Sequence, residues 1–276
     1  MAKLTRKLWV GIGAATLAGV SMTGHASAQG ASHKHEVRPQ PPAKDGPATK
    51  NPGEGGEAYL TDGGPKDTRV RFYRDIELMR GHLLVGGQLI DLELWDEAMP
   101  HFLHPTEELY GVIEKYIKLH RIPPFKRDLQ ALAQAVKGKR KGAAAQAAKV
   151  VDRRLDAALA IAKRFMTPQR NFTVRSAVEV LRVAQSEYEA SIEDGKFAKP
   201  VEYQDSRGFV LQAERMFQGA AAELARVDKD GLANIRTAFA KLKTAWPAPM
   251  PPDKPVLDVS EISSLISDIE LHISRY

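Results

Sequence analysis

Apolar residues recur every three or four positions through most of the chain after residue 67, and this period restricts the fold more than any other feature. Such a stripe forms one face of an α-helix. Strand-like alternation is hard to find, and breaks at residues 123–124, 167–168 and 247–255 separate the striped segments. The clearest stripes are Ile76, Met79, Leu83, Ile90 and Leu94; Val151, Leu155, Ala158, Ala162 and Phe165; Phe209, Ala213, Met216, Ala220 and Leu224; Leu232, Ile235, Phe239, Leu242 and Trp246; and Val259, Ile262, Ile266, Ile269 and Ile273. The sequence therefore predicts an all-α helical bundle over residues 68–276.

The first striped helix has apolar residues over an unusually wide arc. A second stripe, which includes His82, lies beside the first one. A helix that is apolar over so wide an arc is expected at the centre of a bundle. Gly86 and Gly87 interrupt the first stripe, and we expect them to let a neighbouring helix approach closely.

The chain also contains a candidate internal repeat. Residues 77–109 align with residues 179–211 without a gap, at a shift of 102 positions. The identical pairs are Glu77 with Glu179, Arg80 with Arg182, Ile90 with Ile192 and Leu109 with Leu211. This alignment suggests two related helical-hairpin units, residues 68–166 and 167–276, packed into one domain.

The N-terminal residues have the order of a secretory signal. Basic residues precede an apolar stretch, and a small-residue motif ends at Ala28. We expect cleavage after Ala28 and a periplasmic mature protein. Residues 29–67 are rich in Gly, Pro and charge, which predicts a disordered tether. No segment has the roughly 20 apolar residues that a membrane span needs, so we expect no transmembrane anchor in the mature chain.

Charge and cysteine content exclude several classes of function. Cleavage would remove Lys3, Arg6 and Lys7 and no acidic residue, so the net charge would fall from +6 to +3. This mild basicity gives little reason to expect nucleic-acid binding, and the basic residues 137–142 are more simply a solvated turn. The chain has no cysteine, which excludes disulfides and thiolate metal sites. Any metal must therefore be bound through nitrogen and oxygen.

Residues 101–110, with the sequence HFLHPTEELY, form the most unusual motif of the chain. Pro105 suits the first turn of a helix and disfavours helical dihedrals at the residue before it, so we expect a helix to begin there. Glu107 would then interact favourably with the helix N-terminus. Capping explains the glutamates but not His101 and His104, because Ser, Thr, Asp or Asn would cap better than histidine.

The two histidines therefore suggest a metal site. Imidazoles and a carboxylate near one helix start suit a transition metal ion such as Fe, Cu, Zn or Mn. We predict that His101, His104 and Glu107 bind this ion, with His82 as a candidate fourth ligand. The alternative for His82 is a buried histidine that makes a single hydrogen bond.

The candidate repeat provides an internal comparison for this motif. The second unit has Tyr203 and Ser206 where the first has the two histidines, and Asp205 or Ser206 is available there to cap a helix start. Capping thus needs no histidine, which favours a ligand role in the first unit. Three further glutamates could supply oxygen ligands by pseudo-symmetry or could lie on a solvated helix face: Glu187, Glu189 and Glu193.

The spacing His104-x-x-Glu107, in an exported all-α chain with a disordered leader, resembles the imelysin-like periplasmic proteins associated with iron uptake. Residues 202–217 and the closing residues 259–276 are similar in style to the later helices of that family. The resemblance implies that His104 and Glu107 bind iron or a similar ion. It also implies a role in metal binding or delivery rather than proteolysis.

These observations favour an exported helical-bundle protein that binds a transition metal and takes part in metal acquisition or handling, with iron as one candidate. A metal-free interaction or scaffold protein of the cell envelope is the alternative. We expect no enzyme, because the chain lacks cysteine, a GxSxG motif and a phosphate-binding loop. A metallohydrolase, with Glu108 as general base, is the least favoured of the three hypotheses.

Overall fold

The computed structural model describes residues 64–166 and 169–276. The predicted signal peptide, residues 1–28, and residues 29–63 of the predicted tether lie outside the described residues. Signal cleavage and the tether therefore stay predictions.

The described residues are mostly helical, which confirms the predicted all-α fold. The breaks at residues 123–124 and 247–255 lie between helices, as predicted. None of the described helices is both long enough and apolar enough to cross a bilayer. The helices are α1 (Thr68–Asp91), α2 (Trp95–His104), a π-helical turn (Pro105–Leu109), α3 (Tyr110–Leu119), α4 (Lys126–Lys137), α5 (Lys141–Lys163), α6 (Gln169–Ala190), α7 (Pro200–Val227), α8 (Lys229–Leu242), a 3-10 turn (Lys243–Ala245) and α9 (Val259–Ile273).

Helix α1 is the central helix of the fold, as its wide apolar arc predicts. It packs against α2, α5, α6 and α7. Its first turn is capped by the Asp67 carboxylate, which accepts a hydrogen bond from the backbone N–H of Arg69 at 2.9 Å. The cap therefore stabilises the first turn of α1, and packing against four other helices fixes α1 in the core.

Glycines allow α2 and α7 to approach α1 closely. A Cβ atom at Gly86 would lie 2.6 Å from Cε2 of Phe102 on α2, whereas one at Gly87 would meet nothing within 4 Å. Gly86 thus allows the close helix approach that the sequence predicts for both glycines, whereas Gly87 does not contribute to it. On the α7 side, a Cβ atom at Gly208 would lie only 2.3 Å from the carbonyl oxygen of Gly81. The backbones of α1 and α7 therefore touch at these two glycines.

The second half of the chain forms a closed ring of four helices. Helix α6 packs on α7 and α9, and α8 packs on the same two helices. The last of these, α9, begins with a capping box in which the Asp258 carboxylate accepts from the N–H of Glu261 and the Glu261 side chain accepts from the N–H of Asp258. Helix α1 packs along this ring through its contacts with α6 and α7.

A short hairpin between α6 and α7 is the exception to the helical fold within the described residues. Strand β1 (Ile192–Glu193) pairs antiparallel with β2 (Lys196–Phe197). The turn residues Asp194 and Gly195 both have positive φ, 51° and 72°, as a two-residue Asp-Gly hairpin turn requires. The Phe197 ring packs on Tyr203 with centroids 4.7 Å apart, which fixes the start of α7.

The two units of the candidate repeat form similar ion pairs near the start of the aligned segment but differ in secondary structure further along it. Glu77 and Arg80 form an ion pair on α1, and Arg80 reaches two aspartates of α5. Glu179 and Arg182 form the corresponding pair on α6, and Arg182 reaches α9. The aligned Ile90 and Ile192, by contrast, lie in a helix and in a strand. The repeat stays a prediction.

Candidate metal centre

Three histidines and one aspartate from three helices converge in the core. His82 lies on α1, His101 and His104 lie on α2, and Asp205 lies on α7. One potential ligand atom from each of the four lies within 4.8 Å of all the others. We call these four residues the His/Asp cluster. The structure thus brings together three of the four residues predicted as ligands.

The Asp205 carboxylate is the hydrogen-bond centre of the cluster. Its Oδ1 accepts from Nδ1 of His82 at 2.6 Å and from Nδ1 of His101 at 2.7 Å, and its Oδ2 accepts from Nδ1 of His104 at 3.1 Å. The second nitrogen of His101 lies 2.9 Å from Oε1 of Gln204. Because an amide oxygen only accepts, this contact requires a doubly protonated His101 or a rotated Gln204 amide.

Electrostatics of the cluster favour an ionised aspartate. Burial alone would raise the pKa of Asp205, but the attraction of His82 and His101 and the histidine hydrogen bonds outweigh it and hold this pKa well below its usual range. Burial lowers the pKa of His82, and the attraction of Asp205 only partly offsets that effect. The cluster therefore contains a buried carboxylate surrounded by imidazoles, which is a suitable environment for a cation.

The helix carrying two of the histidines does not begin where the sequence predicts. His104 has helical dihedrals, φ −49° and ψ −43°, so the predicted helix start at Pro105 is wrong. Helix α2 begins at Trp95 and continues into the π-helical turn, which closes with the N–H of Tyr110 donating to the carbonyl of Pro105. Proline has no N–H to donate within a helix, and the wider turn that begins there accommodates this loss.

This continuous helix corrects the assignment of Glu107. Glu107 is exposed and lies outside the His/Asp cluster. Its neighbour Glu108 lies beside His104 instead, with 3.5 Å between Oε1 and Nε2. A π-helical turn has more residues per turn than an α-helix, so the residue four positions after His104 lies beside it, rather than the residue three positions after.

Asp205 belongs to the cluster, although the alignment of the two candidate units predicts that it or Ser206 caps a helix start. It does not cap a helix start, because α7 begins five residues earlier at Pro200. Ser206 is not a cap either, since its hydroxyl donates to the carbonyl of Tyr203 and accepts from Nε1 of Trp246. One signal could have identified Asp205: it lies one turn before Phe209 and so continues the apolar stripe of α7 toward the core.

A cavity of about 300 Å3 borders the cluster. Its lining residues are Pro100, His104, Glu108, Glu187, Val201, Glu202 and Asp205. Of the three glutamates considered as further ligands, Glu187 lines this cavity, whereas Glu189 and Glu193 are exposed. Burial and repulsion from Asp205, Glu108 and Glu202 raise the pKa of Glu187 well above its ordinary value.

The donor set of the cluster fits a transition metal ion. Three imidazole nitrogens and a carboxylate oxygen suit Fe, Cu, Zn or Mn. Ligand atoms about 2.1 Å from a tetrahedral ion lie about 3.4 Å apart. The present hydrogen bonds of 2.6 and 2.7 Å to Asp205 are shorter than that, since a proton lies between each pair of atoms. A metal would therefore displace these protons, and these two pairs of atoms would separate by less than about 1 Å. Ligand atoms of the cluster that lie farther apart, up to 4.8 Å, would have to move closer together.

One family model matches part of the chain. It is described as an iron permease-associated 4-helix bundle domain, and it matches residues 163–276, which is less than half of the chain. These residues contain the ring of helices α6 to α9. No curated protein and no solved structure matches significantly. The match agrees with an iron-related helical bundle, whereas the resemblance to imelysin-like proteins stays a prediction.

Proposed function

We propose that this protein binds a transition metal ion through His82, His101, His104 and Asp205 and takes part in metal acquisition or handling. The single observation that carries this proposal is the convergence of three imidazoles on one buried carboxylate. The iron permease-associated match over residues 163–276 favours iron as the metal.

The composition of the cluster is better suited to a ligand than to core stability alone. Burying ionisable groups costs free energy, and replacing a buried ionic network by apolar residues of similar volume is often neutral or stabilising. Large apolar side chains are also buried in this part of the core: Val85, Phe102 and Phe209 are at most 4% exposed. A bound ion would compensate for the burial of these four polar side chains.

We further propose a role in binding or delivery rather than catalysis, in the periplasm, with a membrane permease for metal as the partner. The predicted secretory signal supports the location, and the description of the matched domain supports this kind of partner. The alternative function, a metal-free scaffold of the cell envelope, makes the opposite prediction about metal content.

Metal content of the protein purified after export, without an affinity tag, tests the proposal. The protein is exposed to Fe, Cu, Zn and Mn ions, freed of loose ions by gel filtration and analysed by mass spectrometry. We expect about one equivalent of metal, which is lost in the double variant His101→Ala/His104→Ala and in Asp205→Asn. The control is Glu107→Gln, which removes the exposed glutamate of the same motif and should retain the metal. Retention of none of these metals by the unaltered protein would favour the scaffold function.

A further inference from the structure

The His/Asp cluster reaches the carboxylate-lined cavity through only two of its residues. His104 and Asp205 line the cavity, whereas His82 and His101 do not. The side chain of His104 is 15% exposed, compared with 6% for Asp205, 4% for His82 and 0% for His101. Solvent therefore reaches the cluster most readily at His104, on the cavity side.

The ionisable groups in the walls of this cavity are carboxyl groups and the imidazole of His104. Glu108, Glu187 and Glu202 line the cavity together with His104, and no lysine or arginine is among the described residues that line it. The three carboxylates come from three separate segments: the π-helical turn, the end of α6 and the start of α7. We call these three residues the carboxylate vestibule.

The contact between vestibule and cluster is close. Oε1 of Glu108 lies 3.5 Å from Nε2 of His104, while Nδ1 of the same ring lies 3.1 Å from Oδ2 of Asp205. His104 thus has one nitrogen directed to the vestibule and the other directed to the centre of the cluster. The His104 ring therefore lies between Glu108 of the vestibule and Asp205 of the cluster.

We propose that the carboxylate vestibule is the route by which a cation reaches the His/Asp cluster, with His104 as the first cluster residue that the cation meets. This inference rests on the proposed metal-binding function. A cleft lined by one sign of charge raises the local concentration of the opposite ion and can increase association rates by roughly 10 to 10³-fold. Such steering weakens as salt screens the charges.

The test is the association rate of Co²⁺, whose visible absorption reports its coordination, measured by stopped flow. The variant Glu108→Gln/Glu187→Gln/Glu202→Gln removes the three carboxyl groups of the vestibule, and with them its negative charge, and retains their approximate shape. We expect association at low salt to be at least about tenfold slower than in the unaltered protein, by analogy with other steered sites. The final absorption change should be unchanged, and the difference in rate should shrink at high salt.

A matched control removes three charges outside the vestibule. The variant Glu107→Gln/Glu189→Gln/Glu193→Gln replaces three exposed glutamates, two of them one or two residues from a vestibule residue. It should bind Co²⁺ at the rate of the unaltered protein. Circular dichroism confirms that both variants fold, and removal of mutually repelling carboxylates should not destabilise the vestibule variant.

The remaining outcomes separate this inference from the proposed function. Equal rates in the vestibule variant and the control would overturn the route while leaving the metal site intact. Loss of the absorption change in the vestibule variant alone would also overturn it, because the glutamates would then be ligands. Absence of Co²⁺ binding by the unaltered protein would refute the metal site itself and the route with it.

Discussion

Replacement of Gly208 by alanine should separate α1 from α7 and disturb the His/Asp cluster. A Cβ atom at position 208 would lie 2.3 Å from the carbonyl oxygen and 2.9 Å from the carbonyl carbon of Gly81. Both atoms belong to the backbone of a helix, so a change of rotamer cannot relieve the overlap. The two helices must move apart instead.

The size of the effect follows from these distances. Ordinary van der Waals contact begins at 3.4 Å, so α1 and α7 must separate by about 1 Å. Overpacking typically costs about 1–3 kcal/mol, and alanine gains about 1 kcal/mol over glycine in a helix. Because the contact is with backbone, we expect the upper end of that cost and a net loss of about 2 kcal/mol in the free energy of unfolding. The same movement would lengthen the 2.6 Å contact between His82 and Asp205 beyond hydrogen-bonding distance.

Urea denaturation followed by circular dichroism measures the loss, and Gly219→Ala provides the control. Gly219 lies on the same helix, and a Cβ atom there would meet nothing within 4 Å. We expect this control to gain about 1 kcal/mol, so the two variants should differ by about 3 kcal/mol. If Gly208→Ala is as stable as Gly219→Ala and binds metal equally well, the close approach of α1 and α7 is wrong.

Two further predictions concern metal and pH. Metal at about 100 times its dissociation constant should raise the free energy of unfolding by about 2.7 kcal/mol, and a chelator should reverse this; an equal rise in Asp205→Asn would show that the metal binds elsewhere. Burial raises the pKa of Asp75 to about 6, although Arg74 partly offsets the effect. Since this folded-state pKa lies above the unfolded value of 3.8, the contribution of Asp75 to stability is complete below about pH 4 and is lost as the pH rises through 6. Urea denaturation from pH 4 to 7 should therefore show stability falling relative to Asp75→Asn; a difference that is constant with pH would contradict the raised pKa.

The features that the sequence predicts correctly depend on local spacing. The apolar period identifies the helices, because each helix must bury one face wherever its partners lie. The wide apolar arc of the first helix likewise predicts the central position of α1. The same helical spacing places His101 and His104 on one face of α2, three residues apart.

The features that local spacing misses depend on contacts between distant segments or on a change of helical phase. Asp205 is 101 residues from His104, and only the packing of α7 on α1 and α2 brings them together. The predicted ligand Glu107 depends on a helix that begins at Pro105, whereas the helix continues through Pro105 and its π-helical turn places Glu108 beside His104. The sequence rule that the residue before a proline disfavours helix was valid on average and failed at this turn.

The segment that the family model matches contributes only one residue to the His/Asp cluster. Residues 163–276 contribute Asp205 to the His/Asp cluster, whereas all three histidines precede the matched segment. The matched segment therefore contains none of the nitrogen atoms of the cluster, because all three imidazoles come from α1 and α2. Gly81 and Gly208 are in close contact, and this contact joins the helix that carries His82 to the helix that carries Asp205. A site with all four ligands therefore requires both halves of the chain, because the first half supplies only the three histidines and the second half supplies only Asp205.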